Sequence, residues 1–315
     1  MTSWGMIGLG EMGHPMAMNL VRAGFPLTVF DPRTEVMQEV VSAGAHSVDC
    51  PAAVAAQADV IGIVVRDENQ IRHVLEGDDG LFHSGKQGML VIVHSTIGLT
   101  ACQNIAADAA RANVAVLDAP ISGMRMRAET GTLTFLVGGE TDDLERARPG
   151  LSAMGERIFH LGNIGAGQVG KLANNLVSLS TVMVVAEGVA LAEAGGVDEE
   201  DLIKVLQASS GDSWIVRNWE FIRHRWRREH PLGGNGVADM VGKDLRLAVR
   251  LGEELRLPLP STAIASQLVP LLVGRDALFA DNTPETGASL LVVLLLAWYQ
   301  VGGPTIDPIP PGGGN

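Results

Sequence analysis

The sequence lacks the residue patterns of several large classes of protein. It has only two cysteines, Cys50 and Cys102, so it has no disulfide framework, and a reducing cytoplasm is expected. Its 23 lysines and arginines stand against 36 aspartates and glutamates, and the net charge of −13 argues against a general nucleic-acid binder. No repeat typical of a solenoid or propeller is evident. These absences favour a soluble globular protein.

Signals for membranes, secretion and metals are also missing. The apolar run 288–299 is too short to span a bilayer and predicts a packed helix. The chain opens without a basic segment and cleavage site, so no secretory signal is expected. The eight histidines show no metal-ligand spacing. Ser122 has no nucleophile elbow around it, which argues against a hydrolase.

The length and the order of apolar segments predict two domains. A chain of 315 residues, 46% of them hydrophobic, is too long for one small core. Residues 1–162 alternate apolar strands with helical stretches, which predicts an α/β, Rossmann-type, doubly wound parallel sheet. Residues 163–300 predict an all-α domain for substrate binding and dimerisation, beginning with a long buried helix. The Pro/Gly-rich residues 301–315 predict a disordered tail.

A glycine-rich motif lies between the first strand and the first helix. It consists of Gly8, Leu9, Gly10, Glu11, Met12 and Gly13. Asp31 follows the next strand, 18 positions after the last glycine, which is the context of a dinucleotide site. The glycines let the backbone approach a pyrophosphate, whose charge the helix N-terminus favours. In the alternative interpretation the glycines form only a tight turn.

The residues at the end of the second strand bear on the choice of cofactor. Asp31 favours NAD, because a carboxylate repels the 2′-phosphate of NADP. Arg33 and Thr34 favour NADP, since a nearby arginine accommodates that phosphate. The sequence therefore predicts NAD as the favoured cofactor, with NADP as the alternative.

Polar residues follow several strands of the predicted sheet. Val65 ends one strand, Ser95 and Thr96 follow the next, and 118–123 follow another. Ligands bind at the carboxyl ends of strands in such a sheet, so these segments are candidates for the site. His94 precedes Ser95 and is predicted to be structural.

A second glycine-rich turn, 165–167, leads into a helix that carries Lys171 and Asn175. Four residues apart, they share one helix face and can hold a small polar substrate. The apolar run 176–194 predicts a buried helix, and desolvation at its mouth lowers a lysine pKa, which suits proton transfer. The alternative is a surface lysine in the first turn of a core helix.

Four blocks of residues together resemble the β-hydroxyacid dehydrogenases, the family of 3-hydroxyisobutyrate dehydrogenase and tartronate semialdehyde reductase. The blocks are 8–20, 118–133, 165–175 and 243–245, in that order. The resemblance implies hydride transfer between nicotinamide and a small 3-hydroxy acid or an analogue. The imine reductases, which are similar to this family, generally replace the catalytic lysine, and Lys171 is present here.

The resemblance also implies a role for each matching residue. Lys171 is expected to donate a proton to the carbonyl oxygen or to stabilise the alkoxide, and Asn175 to orient the substrate. Ser122 and Gly123 are expected to hold the acid group. The remaining expected cofactor contacts are Val65, Thr96 and Lys243.

Two departures from the family pattern leave the substrate open. Met124 stands where the family has a second glycine, and Arg125 and Arg127 follow it. Gly236 stands where an aromatic residue is common. Arginines beside an anion site favour a doubly charged acid group such as a phosphonate, sulfonate or dicarboxylate. In the alternative interpretation, both arginines point to solvent.

Segment 214–230 interleaves arginines with two tryptophans. Such a pattern can bind nucleic acid, but the net charge favours a solvated helix face or a dimer contact. A homodimer or homotetramer is expected, since the predicted helices carry more apolar surface than a small cluster buries. A non-catalytic dinucleotide-binding interaction module remains the alternative to an enzyme.

Overall fold

The computed structural model describes residues 2–84, 86–227 and 237–269. Predictions that concern 228–236 and 270–315 lie outside these residues, among them the apolar run 288–299 and the tail 301–315. The described residues form two compact units. The sheet unit contains the chain up to Asn175 together with Leu247–Pro258, and the helical unit contains 176–227, 237–246 and 259–269.

The sheet unit confirms the predicted α/β class. Its strands are β1 (Trp4–Ile7), β2 (Leu27–Phe30), β3 (His46–Ser47), β4 (Val60–Ile63), β5 (Leu90–Val93), β6 (Ala115–Asp118), β7 (Ile121–Ser122), β8 (Leu133–Gly138) and β9 (Gly155–Gly162). The order is β3-β2-β1-β4-β5-β6-β8-β7, with β9 also paired to β8. The first six strands are parallel, and β8 runs antiparallel to β6 and β7. The short strands β3 and β7 were not predicted, because two-residue strands leave no periodic signal.

Helices connect the strands and cover the sheet. In the sheet unit they are α1 (Gly13–Arg22), α2 (Gln38–Ser42), α3 (Pro51–Gln57), α4 (Glu68–Glu76), α5 (Leu99–Arg111), α6 (Met124–Glu129) and α7 (Thr141–Met154). The central strands β4 and β5 are buried along their whole length, as strands covered on both faces should be. Separate apolar clusters, around Met6 and around Ile61, form the core.

The rest of the described chain is helical. Its helices are α8 (Ala166–Ala194), α9 (Glu199–Gln207), α10 (Trp214–Arg217), α11 (Trp219–Arg227), α12 (Val237–Glu254) and α13 (Pro260–Leu268). This agrees with the predicted all-α second part. The domain boundary at residue 162 stays a prediction, since α8 continues through both units.

The prediction that α8 is buried on most sides is wrong for one face. The helix packs Val182, Met183, Val185, Ala186 and Val189 into the core of the helical unit. Val177, Val184 and Leu191, however, are 65%, 65% and 72% exposed. Seven residues make about two helical turns, so these three side chains lie on one line, called here the α8 stripe. Because apolar residues occur all along 176–194, the sequence does not show which side of the helix faces the core.

By its length of 29 residues and its apolar composition, α8 is also able to cross a membrane. The same composition is found in core helices of soluble proteins, and α8 carries Lys171, Asn175, Glu187 and Glu193. One of its faces packs into a protein core. The absence of a membrane partner therefore stays a prediction.

Two arginines of the Arg/Trp-rich segment, Arg217 and Arg223, have carboxylate partners in the helical unit. Arg217 pairs with Asp212, and Arg223 Nη1 lies 2.6 Å from Glu199 Oε2. Trp219 Nε1 donates to the same carboxylate over 2.5 Å. The contacts of Trp219 and Arg223 attach α11 to the first turn of α9.

Candidate active site

The glycine-rich loop follows β1 and turns into α1. Gly8 has φ +90°, and a Cβ there would overlap the Val64 carbonyl oxygen, while a Cβ at Gly13 would overlap the Gly8 carbonyl oxygen. A Cβ at Gly10 would meet no atom closer than 3.9 Å, an Arg33 guanidinium nitrogen. The chain itself therefore requires glycine at two of the three positions. The open space over Gly10 suits the close approach of a pyrophosphate, so these residues fit a dinucleotide.

The loop is tied to the end of β2. The Leu9 amide donates to Asp31 Oδ2 over 2.8 Å, and the Gly8 amide donates to the Phe30 carbonyl over 3.0 Å. Glu11 lies near Arg125, since its charge contributes to raising the pKa of that guanidinium. Met12 directly precedes α1.

Asp31 is buried and already engaged. Arg33 donates to its two oxygens through Nε (3.0 Å) and Nη2 (3.1 Å), and the Arg33 amide donates over 2.9 Å. Burial raises the pKa of Asp31, but the hydrogen bonds from Arg33 and from the Leu9 amide outweigh it and hold the pKa below its ordinary value. An adenosine ribose can therefore bind this carboxylate only by replacing part of the Arg33 contact.

The loops after β4 and β5 are joined by one serine. Ser95 Oγ donates to the Val65 carbonyl over 2.6 Å and accepts from the Val65 amide over 3.1 Å. Thr96 follows Ser95 and is partly exposed, as a residue that contacts a ligand must be. The two predicted cofactor residues Val65 and Thr96 thus lie in adjacent loops at one edge of the sheet.

His94 lies inside the sheet unit, as predicted for a structural residue. Its Nδ1 is 2.9 Å from the Ala119 carbonyl oxygen, and its ring packs on Phe135. Because a carbonyl oxygen only accepts, Nδ1 carries the proton. Burial lowers the pKa of His94 to about 4, with the bond to Ala119 opposing this shift.

The helix that carries Lys171 and Asn175 begins at the carboxyl end of β6. Asp118, the last residue of β6, accepts from the Gly165 amide over 2.6 Å and from the Gln168 amide over 2.7 Å. Burial raises the pKa of Asp118, although these two amides oppose the shift. Lys171 is half-buried in the next turn of α8, and the buried Asn175 lies one turn further, its Oδ1 accepting from Asn174 Nδ2 over 3.1 Å.

Sequence reasoning missed Gln168, which has no exposed surface. Its Oε1 accepts from the Ile97 amide over 3.0 Å, and its Nε2 donates to the Ser95 carbonyl over 2.9 Å. The available signal was its position three residues before Lys171, which places both on one helix face. Asp118 was noted in sequence only as part of a polar cluster, without a role.

The predicted acid-binding turn follows β7. Ser122 is half-buried and pairs with Thr134 of β8. Gly123 has φ +134° and Met124 has φ +56°, so the methionine holds a left-handed backbone at the position where the family resemblance has glycine. Such a backbone costs an L-residue about 1–2 kcal/mol.

Arg125 lies in α6, where its Nε is 2.7 Å from Glu129 Oε1 and its side chain is 59% exposed. The Asn19 side chain of α1 donates to the Ala128 carbonyl over 2.6 Å and so holds α6 beside the cofactor helix. The helix after the predicted acid-binding turn is therefore bonded to the helix after the glycine motif.

The structure thus gathers nearly all the predicted site residues at the carboxyl edge of one sheet. Lys243 belongs to the helical unit, where its Nζ is 3.0 Å from Asp244 Oδ1. Its expected contact with the cofactor stays a prediction.

Comparison with known proteins identifies the family of the chain. Residues 3–162 match the family described as the NAD binding domain of 6-phosphogluconate dehydrogenase, and residues 165–283 the NAD-binding part of NADP-dependent 3-hydroxyisobutyrate dehydrogenase. The chain is 36% identical to the NAD-dependent L-serine dehydrogenase of Pseudomonas aeruginosa, over 85% of this chain and 91% of that protein. The chain belongs to the β-hydroxyacid dehydrogenase family.

Two further members of the β-hydroxyacid dehydrogenases are similar. The 2-(hydroxymethyl)glutarate dehydrogenase of Eubacterium barkeri is 33% identical over 84% of this chain and 87% of that protein. The solved 3-hydroxyisobutyrate dehydrogenase of Mycobacterium tuberculosis with L-serine has a TM-score of 0.75 and 29% identity, covering 86% of this chain and 93% of that one. As a β-hydroxyacid dehydrogenase, the chain is an NAD(P)-dependent oxidoreductase that acts on CH–OH groups.

Proposed function

We propose that the chain oxidises the hydroxyl group of a small 3-hydroxy acid, or reduces the matching semialdehyde, with Lys171 as the proton-transferring residue. The observation that carries this proposal is the anchoring of α8 at the edge of the sheet. Through Asp118 and Gln168, the turn that precedes Lys171 is bonded to the loops after β5 and β6. Those loops hold Thr96 and lead to Ser122.

Each residue has a distinct task in the proposed reaction. Bound nicotinamide supplies the hydride acceptor or donor. During reduction Lys171 Nζ gives its proton to the carbonyl oxygen, and during oxidation it stabilises the alkoxide. The amide of Asn175 orients the reacting oxygen. Ser122 and the backbone at Gly123 hold the acid group. Lys171 also separates this proposal from the imine reductase alternative.

The substrate is proposed to be 3-hydroxyisobutyrate, L-serine or an analogue with a second negative charge. Arg125 supports the second charge despite its pairing with Glu129. An exposed ion pair four residues apart on a helix contributes only about 0.3–0.5 kcal/mol. A guanidinium on a bound anion contributes about 1.5–3 kcal/mol, so the exchange of partners is favourable.

We also propose a homodimer or homotetramer. The α8 stripe supports this proposal, because its three apolar side chains are between 65% and 72% exposed on a single line.

The decisive experiment is a substrate panel with both NAD and NADP, following the absorbance of the reduced cofactor. The panel contains 3-hydroxyisobutyrate, L-serine, 2-(hydroxymethyl)glutarate and a phosphonate analogue. Lys171→Ala should lower kcat by about 10²–10⁴-fold while the Kd for cofactor is retained. Lys204→Ala, at an exposed lysine of α9, is the matched control. A Lys171→Ala enzyme with more than about a tenth of wild-type kcat would sink the assignment.

The same panel tests the second charge. Arg125→Ala should raise KM about tenfold for the phosphonate or the dicarboxylate and leave KM for the monoacids unchanged. Glu129→Gln releases Arg125 and should lower KM for the doubly charged substrates. If the monoacids are preferred and neither substitution matters, Arg125 points to solvent.

A further inference from the structure

A continuous set of hydrogen bonds, partly buried at Val65 and buried from Ser95 onward, runs through the loops at the carboxyl edge of the sheet. It passes from Val65 to Ser95 and from the segment 95–97 to Gln168. Through the Gln168 amide it reaches Asp118. The set joins the loops after β4, β5 and β6 to the first turn of α8. None of these contacts belongs to the regular pairing of the sheet.

Asp118 fixes where α8 begins. Its carboxylate has no exposed surface and accepts from two amides of the turn before Lys171, at Gly165 and Gln168. A buried carboxylate is costly unless its oxygens are bonded, so the helix start cannot shift without losing these bonds. Asp118 itself is held in β6, opposite Gly138.

Gln168 fixes the rotation of α8 about its own axis. One atom of its amide accepts from Ile97 and the other donates to Ser95, so the side chain spans the two residues that flank Thr96. This contact needs an acceptor and a donor on one planar group, which the amide of glutamine supplies and an ionised carboxylate does not. Leaving the Ile97 amide and the Ser95 carbonyl unpaired would cost about 1–3 kcal/mol each.

Lys171 and Asn175 lie three and seven residues after Gln168, on the same face of α8. The contact that holds the helix against the segment 95–97 therefore also sets where these two side chains stand relative to Thr96. We propose that Gln168, anchored by Asp118, is a positioning residue that sets the placement of Lys171 and Asn175 relative to the Thr96 loop. This inference rests on the proposed hydride transfer.

The first test is Gln168→Met, which keeps the length of the side chain and removes both of its hydrogen-bonding groups. A displacement of about 1 Å at a catalytic group costs on the order of 10²-fold in rate. We expect kcat to fall by about 30–100-fold, with little change in the Kd for reduced cofactor, measured by nicotinamide fluorescence. Gln103→Met, at an exposed position of α5, is the matched control and should keep wild-type kcat.

The second test is the pH profile of Gln168→Glu. A protonated carboxyl can donate to the Ser95 carbonyl and accept from Ile97, as the amide does. The ionised form has no donor for the Ser95 carbonyl. We therefore expect kcat relative to wild type to be near one at low pH and to fall more than tenfold as pH rises through the pKa of the introduced carboxyl. This variant also decides the question if Gln168→Met does not fold.

The outcomes separate positioning from stability alone. A Gln168→Met protein with a lower Tm but wild-type kcat in its folded form would show a purely structural role and overturn the inference. Parallel pH profiles for wild type and Gln168→Glu would overturn it as well. Wild-type turnover without any effect of these variants leaves the dehydrogenase assignment intact. A wild type that transfers no hydride to any member of the panel overturns that assignment and this inference with it.

Discussion

At the carboxyl edge of the sheet unit, buried polar side chains bond to backbone groups of neighbouring loops, as Asp118 and Gln168 do. In the helical unit, α8 buries apolar side chains such as Val182 and leaves Val184 and Leu191 in solvent. A hydrogen bond requires a donor and an acceptor at a particular distance, whereas apolar burial requires only contact. The first region therefore has a defined geometry for chemistry, and the second has an apolar surface suited to association.

The largest contrast is expected between two glycines. Gly13→Ala should lower the free energy of unfolding by about 4 kcal/mol, because the new Cβ overlaps the Gly8 carbonyl and the backbone must move. Gly188→Ala in α8 meets nothing within 4 Å and should raise it by about 0.5–1 kcal/mol. Urea titration of both variants measures the difference. Equal changes in the free energy of unfolding for the two variants would contradict the expected difference between the glycine loop and α8.

A smaller effect is expected from pH. The pKa of His94 is lowered from 6.5 to about 4. Between these two pH values the imidazole is therefore protonated in the unfolded chain and neutral in the folded protein. Stability from His94 is complete above pH 6.5 and is lost as pH falls towards 4, by about 3 kcal/mol. His94→Asn keeps a donor for Ala119 and should flatten this dependence in denaturant titrations.

Comparing the two proteins at each pH cancels the contribution of Asp118. Its pKa is raised, so its contribution to stability changes with pH in the opposite sense. Identical slopes for wild type and His94→Asn would mean that folding does not lower the pKa of His94.

The next prediction concerns the α8 stripe of the helical unit. Leu191→Glu places a carboxylate in the proposed subunit contact and should weaken association by about 2 kcal/mol. Light scattering should then show a monomer of 33.2 kDa at concentrations where the wild type is larger. Leu255→Glu, at an exposed leucine of the sheet unit, is the matched control. A monomeric wild type would show that solvent or other parts of the chain cover the stripe.

The smallest effect is expected at Asp31 and Arg33, where a buried carboxylate pairs with a partly exposed guanidinium. Asp31 is 4% exposed, and Arg33 is 44% exposed. Asp31→Asn should shift kcat/KM towards NADP about tenfold by removing charge repulsion, and Arg33→Ala should shift it towards NAD by a similar factor. Steady-state kinetics with both cofactors decides. A shift in the same direction for both variants would mean that the pair acts as one unit.

Much of the fold and most of the site follow from local pattern. Apolar runs such as 60–65 predict buried strands, and the glycine motif predicts the turn between β1 and α1. The motif positions of Lys171, Asn175 and Ser122 also come from sequence. The role of Gln168 and the pairing of Asp31 with Arg33 do not come from sequence, because residue type alone does not show which partner a polar side chain contacts after folding.

What the sequence determined by itself is the order of elements and, through its resemblance to the β-hydroxyacid dehydrogenases, the chemistry of hydride transfer; the carboxyl edge as the place of the site is its prediction. Those depend on residue type and spacing along the chain. What only the tertiary structure decided is which face of α8 is exposed and how Gln168 and Asp118 hold the helix that carries Lys171. An apolar run without periodicity has no preferred face, and a hydrogen bond across 71 residues between Ile97 and Gln168 forms only after strands and helices have packed.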